Sequence, residues 1–153
     1  IVTQAALQDV HVLQYAGKDL KSEKDFMLAI VKENGAAFRY VSTDLKSDKE
    51  ILLAAVARDV NAFQYASDTL KADKELAMFV VTANGSLLQY ASQELRGDKE
   101  VVLSAIRQNG FALRYAAENL RSDKDLVMVA IEQNGSALRF ADRLRTQKDF
   151  VMS

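Results

Sequence analysis

The sequence of 153 residues contains no cysteine, no proline and a single histidine. Without cysteine the chain can form no disulfide, no thiol nucleophile and no thiolate metal site, and it is compatible with a reducing or an oxidising compartment alike. Without proline, nothing inside a helix forces a break. The lone histidine, His11, gives no basis for a Ser-His-Asp or Cys-His arrangement. We therefore expect no catalytic residue and no enzyme activity.

An excess of charge of one sign and long apolar runs are missing as well. Lys plus Arg total 20 and Asp plus Glu total 21, so the formal net charge is −1 and disfavours nucleic acid as a partner. The longest apolar run, 51–57, has seven residues, and 26–31 and 76–81 have six; all are far shorter than the roughly 20 residues of a membrane-spanning helix. Glycine-rich phosphate loops are absent too, so neither a cofactor nor a small-molecule ligand is indicated.

What the sequence does contain is one unit, repeated six times. The five tyrosines occur at a constant spacing of 25 residues, at Tyr15, Tyr40, Tyr65, Tyr90 and Tyr115, and the next position in the series is Phe140. The units run over 1–25, 26–50, 51–75, 76–100, 101–125 and 126–149, with 150–153 starting a further helix. One residue is lost between Ala141 and Leu144. We interpret 1–153 as a single tandem-repeat domain, and because the chain starts at Ile1 rather than Met, as a processed protein or a segment of a longer one.

A helix-start signal lies at the junction between successive units. Asp48, Asp73, Asp98 and Asp123 each precede a lysine, an acid and an apolar run. An Asp N-cap accepts bonds from free N–H groups, and an acid in the first turn suits the positive end of the helix dipole. The pattern predicts a helix A of about ten residues that is apolar nearly all round and is therefore packed between neighbours.

Helix A ends at an Asn-Gly pair in four copies, but two copies have Asp9-Val10 and Asp59-Val60 instead. A helix-terminating glycine at positive φ would explain the four, but a β-branched valine there would be strained. The interpretation that fits all six copies is that Asn or Asp caps the next helix and that Gly or Val is its first residue.

A second helix, B, is predicted by an apolar stripe at Ala37, Phe38, Val41 and Leu45. Neither helix can bury its stripe alone, so neighbouring units must stack. The fold class is therefore all-α, an α-solenoid of six short helical-hairpin repeats. A leucine-rich repeat is excluded because the alternating leucines of its strand are missing.

Two repeated features are candidates for partner binding. The tyrosines lie at the margin of the helix B stripe, where they either seal the seam between units or edge a groove in which a partner docks. A cation ends helix B in each copy and forms a basic stripe that either tracks phosphates or is a solvated helix end paired locally with acids such as Asp48 and Glu50. The candidate residues are Tyr40, Tyr65, Tyr90, Tyr115, Lys46, Lys71, Arg96 and Arg121, with Arg145 continuing the stripe.

No metal site is expected. The acids that recur at the helix starts each bracket a lysine, and capping already accounts for them. His11 is aligned with Ala36, Asn61, Ser86, Phe111 and Ser136, so we interpret it as incidental.

The unit from Asp98 to Asp123, with Asp-Lys-Glu, Asn-Gly, Tyr-Ala and Leu-Arg at fixed spacing, resembles the DUF4116 repeat family. The resemblance covers essentially the whole chain and departs from the pattern at Asp9-Val10, at Asp59-Val60 and in the shortened last copy. It implies a helical tandem array that is part of a larger protein, and it brings no activity to any residue.

The leading hypothesis is a non-catalytic protein-interaction or scaffold module that holds a protein partner or belongs to a larger complex. The alternatives are a nucleic-acid-binding helical repeat, and an accessory repeat segment of a larger enzyme or effector.

Overall fold

The computed structural model describes residues 2–141, and every element of secondary structure in this range is a helix. The predicted all-α class and its 25-residue helical repeat are confirmed. The chain divides into two compact units, Ile1–Leu70 and Lys71–Ser153, and each is described by itself. The predicted loss of a residue after Ala141, Arg145 and the helix start at 150–153 lie outside the described residues.

Helix A is present in every copy and has ten residues from the second copy onward. The cap predicted at its start is formed: Asp98 Oδ1 accepts the N–H groups of Glu100 at 3.0 Å and Val101 at 3.2 Å. The bounds of helix A are Val2–Gln8, Lys24–Glu33, Lys49–Arg58, Lys74–Ala83, Lys99–Gln108 and Lys124–Gln133.

The residue pair after helix A starts the next helix, as the second interpretation predicts. Asn34 Oδ1 accepts the Ala36 N–H at 3.0 Å, and Asp59 Oδ1 accepts the Asn61 N–H at 3.0 Å. No residue in the described part of the chain has a positive φ. The element that follows is a 3₁₀ helix of six residues: Val10–Tyr15, Gly35–Tyr40, Val60–Tyr65, Gly85–Tyr90, Gly110–Tyr115 or Gly135–Phe140.

Glycine in this pair is explained by a close approach between consecutive repeats. A Cβ placed on Gly35 would collide with the carbonyl oxygen of Ala55, and one placed on Gly85 would collide with that of Ala105. Where this position is glycine, the residue twenty positions later is alanine, as in Gly35 and Ala55. Where this position is valine, the residue twenty positions later is larger, as in Val10 and Ile30. A larger residue at the start of the 3₁₀ helix is therefore accompanied by a larger residue on the following helix A.

The prediction that helix B is one continuous helix is wrong. After the 3₁₀ helix the backbone becomes extended for two residues, with ψ of 156° at Ala116 and 152° at Ala117 in the fifth copy and 156° at Ala91 and 159° at Ser92 in the fourth. A second short helical segment follows, at Lys18–Ser22, Leu45–Ser47, Asp68–Lys71, Gln93–Arg96 or Glu118–Arg121.

The break lets the backbone bond to the preceding repeat instead of to its own helix. The Ser42 N–H donates to the Lys21 carbonyl at 2.9 Å, and the Ala117 N–H donates to the Arg96 carbonyl at 2.8 Å. The same bond joins Ser67 to Lys46 and Ser92 to Lys71. Proline is not needed for this break, because another acceptor is available to the N–H group.

Stacking of equivalent helices encloses the core within each unit. Helix Lys24–Glu33 packs on Lys49–Arg58 in the first unit, and Lys99–Gln108 packs on both of its neighbours in the second. Three of the four predicted helix B stripe residues are buried despite the break: Ala37 and Phe38 have no exposed surface, and Val41 is 4% exposed. The fourth, Leu45, lies beyond the break and is only half-buried. Apolar burial of this kind supplies the main driving force for stacking.

One side of helix A is exposed, so the prediction that it is packed all round is wrong. Leu53 is 45% exposed, Phe79 53% and Met128 40%. Each of these lies on the outer side of its helix, whereas residues such as Leu52 and Ala55 are fully buried.

Candidate functional site

The predicted tyrosines end the 3₁₀ helices, which place them at equivalent positions on the surface. Tyr40, Tyr65, Tyr90 and Tyr115 are half-buried, whereas Tyr15 in the first copy is 84% exposed. Half-burial leaves one part of each ring packed against the protein and another part open to a partner.

Arginine side chains lie between aromatic rings of consecutive repeats. Arg39 Cζ is 5.4 Å from the centre of the Tyr40 ring and 5.5 Å from that of Tyr65. In the second unit, Arg114 Cζ is 5.3 Å from the Tyr115 ring and 5.2 Å from the Phe140 ring. These are cation–π distances, and the flat guanidinium stacks well in such a position. We call this surface the tyrosine–arginine face; in the first unit it comprises Arg39, Tyr40 and Tyr65, and in the second Arg114, Tyr115 and Phe140.

His11 extends the tyrosine–arginine face of the first unit. Its Nδ1 is 2.9 Å from the Tyr40 hydroxyl oxygen, and the two rings meet edge to face. Phe111 meets Phe140 in the same edge-to-face arrangement in the second unit. His11 thus has a packing contact with the aromatic residue of the next repeat; that it has no part in chemistry stays a prediction.

The predicted cations Lys71, Arg96 and Arg121 end the short segments, Lys46 lies one residue before the end of its segment, and all four are half-buried. The backbone carbonyls of Lys46, Lys71 and Arg96 accept the bond from the next repeat, and the Arg121 side chain donates from Nη1 to the Ala116 carbonyl at 3.3 Å. Arg96 Nε is buried and has no hydrogen-bond partner among the described residues. The basic stripe is therefore partly a structural feature of the seam between repeats.

Grooves open where this cation meets the tyrosine of the following repeat. In the first unit a groove of about 500 Å³ is lined by Lys18, Lys21, Ser22 and the segment from Arg39 to Asp44. In the second unit a groove of about 280 Å³ is lined by Gln93, Arg96, Arg121 and the segment from Tyr115 to Glu118. The structure thus brings Tyr115, Arg96 and Arg121 together in one groove. The sequence analysis treated the tyrosines and the basic stripe as separate features and did not predict that they meet.

The two grooves occupy equivalent positions of the repeat, three copies apart. Lys21 corresponds to Arg96 and Tyr40 to Tyr115, each pair separated by 75 residues in the sequence. An arrangement that recurs in both units follows from the repeat itself and not from one irregular loop.

The predicted local pairing of Lys46 with Asp48 and Glu50 is wrong, because those acids bind a lysine of the preceding repeat. Lys24 Nζ is 2.8 Å from oxygens of both Asp48 and Glu50. Lys74 pairs in the same way with Asp98 at 2.9 Å and Glu100 at 2.7 Å, and Lys99 with Asp123 at 2.8 Å.

These pairs shift the pKa values of the capping carboxylates. The hydrogen bond from Lys74 holds the pKa of Asp98 below its ordinary value, helped by the Val101 and Glu100 N–H groups and opposed by partial burial. The bond from Lys99 lowers the pKa of Asp123 in the same way. The pKa of Lys74 is raised in turn, chiefly by its bonds to Glu100 and Asp98.

Comparison with protein-family models decides the family. The model described as a domain of unknown function, DUF4116, matches residues 1–46, 23–71, 48–96, 73–121, 98–145 and 123–153. The chain belongs to the DUF4116 family. No curated protein and no solved structure is similar to it at a significant level.

The matched segments coincide with structural boundaries of the DUF4116 repeat. From the second onward they begin at residue 23 or at the capping aspartates, and three of them end at Lys71, Arg96 and Arg121. Each of these three segments covers two consecutive 25-residue repeats. The groove of the compact unit Lys71–Ser153 therefore lies entirely within the segment 73–121. Each of the two grooves of this chain is therefore lined by residues of two consecutive repeats.

Sequence reasoning missed the arginines of the tyrosine–arginine face. Arg39 and Arg114 were recognisable only as polar residues next to the tyrosines, and the same position is glutamine in three other copies, at Gln14, Gln64 and Gln89. Their stacking depends on a ring in the next repeat, which the 25-residue spacing alone does not reveal.

Within residues 2–141, no helix has the length and apolar character that crossing a bilayer requires.

Proposed function

We propose that this chain is a non-catalytic protein-interaction or scaffold module that binds its partner on the tyrosine–arginine face. The observation that carries the proposal is the guanidinium stacked between rings of consecutive repeats, beside a groove, in both units. Tyrosine and arginine dominate binding hot spots in protein interfaces. Stacking also fixes these side chains before binding, which lowers the entropy lost on association.

The test compares three forms of the full chain as immobilised baits in its native extract. The face variant carries Arg39→Gln and Arg114→Gln, which are compatible with the fold because glutamine occupies the same position in three other copies. The control variant carries Lys32→Gln and Arg107→Gln, in the last turns of two A helices, and loses the same charge. We expect a protein that the wild type and the control retain and the face variant loses. Equal retention by all three forms would contradict the proposal.

A second candidate is nucleic-acid binding, favoured by the aromatic rings and cations on one surface. Proteins that hold single strands combine such rings with a positively charged groove. Affinity for a single-stranded oligonucleotide that falls steeply with rising salt would support this candidate. Absence of binding at low salt would remove it.

A further inference from the structure

The first repeat has an open side that is covered in later repeats. Within each unit, consecutive repeats stack, and we call the side of a repeat that meets the preceding one its proximal face. Val2 is 39% exposed, whereas its equivalents Met27 and Val102 have no exposed surface. Ala5 is half-buried, whereas its equivalent Ala55 is fully buried. The proximal face of the first repeat is therefore an apolar surface of the kind that other repeats bury by stacking.

The sixth repeat is open on the opposite side, which we call its distal face. Gly135 is exposed, and nothing lies within 4 Å of a Cβ placed on it. A Cβ placed on its equivalent Gly110 would collide with the carbonyl oxygen of Ala130. Leu138 is half-buried, whereas its equivalent Leu113 has no exposed surface. Among the described residues, the distal face of the sixth repeat thus lacks the helix A that covers the same face of the fifth.

The sizes of two residues indicate which distal face suits a given proximal face. The residue that starts the 3₁₀ helix and the residue twenty positions later vary together, as in the pairs Gly35 and Ala55, Gly85 and Ala105, Gly110 and Ala130, and Val10 and Ile30. The first repeat has Ala5 at the second of these two positions. An alanine there is matched by a glycine on the distal face that covers it, and Gly135 is such a glycine.

The stacked arginines provide a second match. Arg39 and Arg114 each lie over the ring of their own repeat and over the ring of the next. Arg139, at the equivalent position of the sixth repeat, has its Cζ 4.7 Å from the centre of the Phe140 ring and lies over no second ring among the described residues. The second ring always comes from the tyrosine position of the next repeat. In the first repeat this position is Tyr15, whose ring is 84% exposed and free to receive a guanidinium.

We infer that a second copy of this chain docks the distal face of its sixth repeat on the proximal face of the first repeat. At this junction Gly135 of one copy meets the carbonyl oxygen of Ala5 in the other, and Arg139 lies between Phe140 and Tyr15. The junction repeats the contacts that consecutive repeats make within each unit. Because it joins two different faces, each copy keeps one face free for a further copy. The inference is independent of the proposed function, since Tyr15 and Arg139 are not part of the tyrosine–arginine face.

The first experiment is sedimentation velocity of the full chain from about 1 μM to about 500 μM, the range of weak protein association. We expect the sedimentation coefficient of the wild type to rise with concentration. Arg139→Gln should weaken the association about tenfold, because one cation–π contact is lost, and glutamine occupies the same position in three other copies. The control Arg107→Gln loses the same charge from the last turn of a helix A and should associate like the wild type. A wild type that stays monomeric over the whole range, or equal weakening by both variants, would overturn the inference.

The second experiment mixes two variants, each with one blocked face. Gly135→Val blocks the distal face and is compatible with the fold, because valine occupies that position in two other copies. Tyr15→Lys blocks the proximal face, because the lysine removes the ring and repels Arg139. Circular dichroism checks that both variants are folded. We expect each variant alone to be monomeric and their equimolar mixture to form a dimer and nothing larger. A mixture that stays monomeric, or association of either variant alone to the level of the wild type, would contradict a head-to-tail junction.

Discussion

At the scale of single residues, three glycines lie where a side chain would meet the backbone of the following repeat. Gly35, Gly85 and Gly110 each approach a carbonyl oxygen of the next helix A, at Ala55, Ala105 and Ala130. The restriction is on space and not on backbone angle, because none of them has a positive φ. Valine at the equivalent position of other copies is consistent with this, since an angular requirement would exclude it.

We expect Gly85→Ala to destabilise the chain by about 1–3 kcal/mol, because the added methyl group collides with a backbone oxygen that cannot move aside. The matched control is Gly17→Ala, where nothing lies within 4 Å of the added Cβ and the change should stay below about 0.5 kcal/mol. Urea unfolding of both variants measures the difference. Equal effects would show that Gly85 is not restricted by the neighbouring repeat.

The capping aspartates make stability depend on pH. The pKa of Asp98 is lower in the folded chain than in the unfolded one, first because of the Lys74 hydrogen bond. Its stabilisation is therefore complete above the unfolded pKa and is lost as the pH falls through the lowered folded pKa. Asp48 and Asp123 contribute in the same direction.

Asp98→Asn separates this charge effect from capping, because asparagine caps a helix as well as aspartate does. We expect the variant to lose stability at neutral pH and to show a shallower decline between about pH 5 and pH 2, measured by thermal unfolding. Asp98→Ala should lose about 1 kcal/mol more, since the cap is gone too. Parallel pH profiles for wild type and Asp98→Asn would contradict the assignment.

At the scale of the elements, the break in helix B depends on a hydrogen bond that leaves the repeat. The extended residue before Ser92 has a ψ of 156°, which suits the position before a proline, and Ser92 itself has φ −58°. Proline at position 92 would thus fit the backbone angles while removing the N–H that bonds to Lys71.

We expect Ser92→Pro to cost about 1–3 kcal/mol more than Ser92→Ala, which removes only the side-chain cap. The control is Gln93→Pro, one residue on, at the first helical position where proline is tolerated. Chemical unfolding of the three variants gives the comparison. If Ser92→Pro and Gln93→Pro had the same effect, the bond between repeats would not determine the break.

The sequence was sufficient to predict the period, helix A with its aspartate cap, and the part of the helix B stripe before the break, at Ala37, Phe38 and Val41, but not the half-burial of Leu45 after it. These features depend on helix capping and on the spacing of apolar residues, which are both local sequence signals. The break in helix B was not predictable, because its cause is a carbonyl of the preceding repeat. The same holds for the lysine pairs and for Arg39, since their partners are in another repeat and no short-range pattern encodes them.

At the scale of the whole molecule, a repeat array is stabilised mainly by contacts between neighbouring copies. Leu113 is fully buried in the second unit, so Leu113→Ala should cost about 2–5 kcal/mol at that position. We expect hydrogen-exchange protection to fall in the fifth repeat and in the copies stacked against it, and to change less in the first repeat. A uniform fall along the whole chain would show that the array unfolds only as a single unit.

Residue-resolved amide exchange also tests the central claim, that each repeat is bonded to the one before it at the break in helix B. The N–H groups of Ser42, Ser67, Ser92 and Ala117 should be protected to the same degree as amides inside helix A. The next residues, Thr43, Gln93 and Glu118, begin a helical turn and should exchange fast, because the first N–H groups of a helix have no acceptor within it. Slow exchange recurring every 25 residues is the result that this account predicts. Fast exchange at those four amides would contradict it.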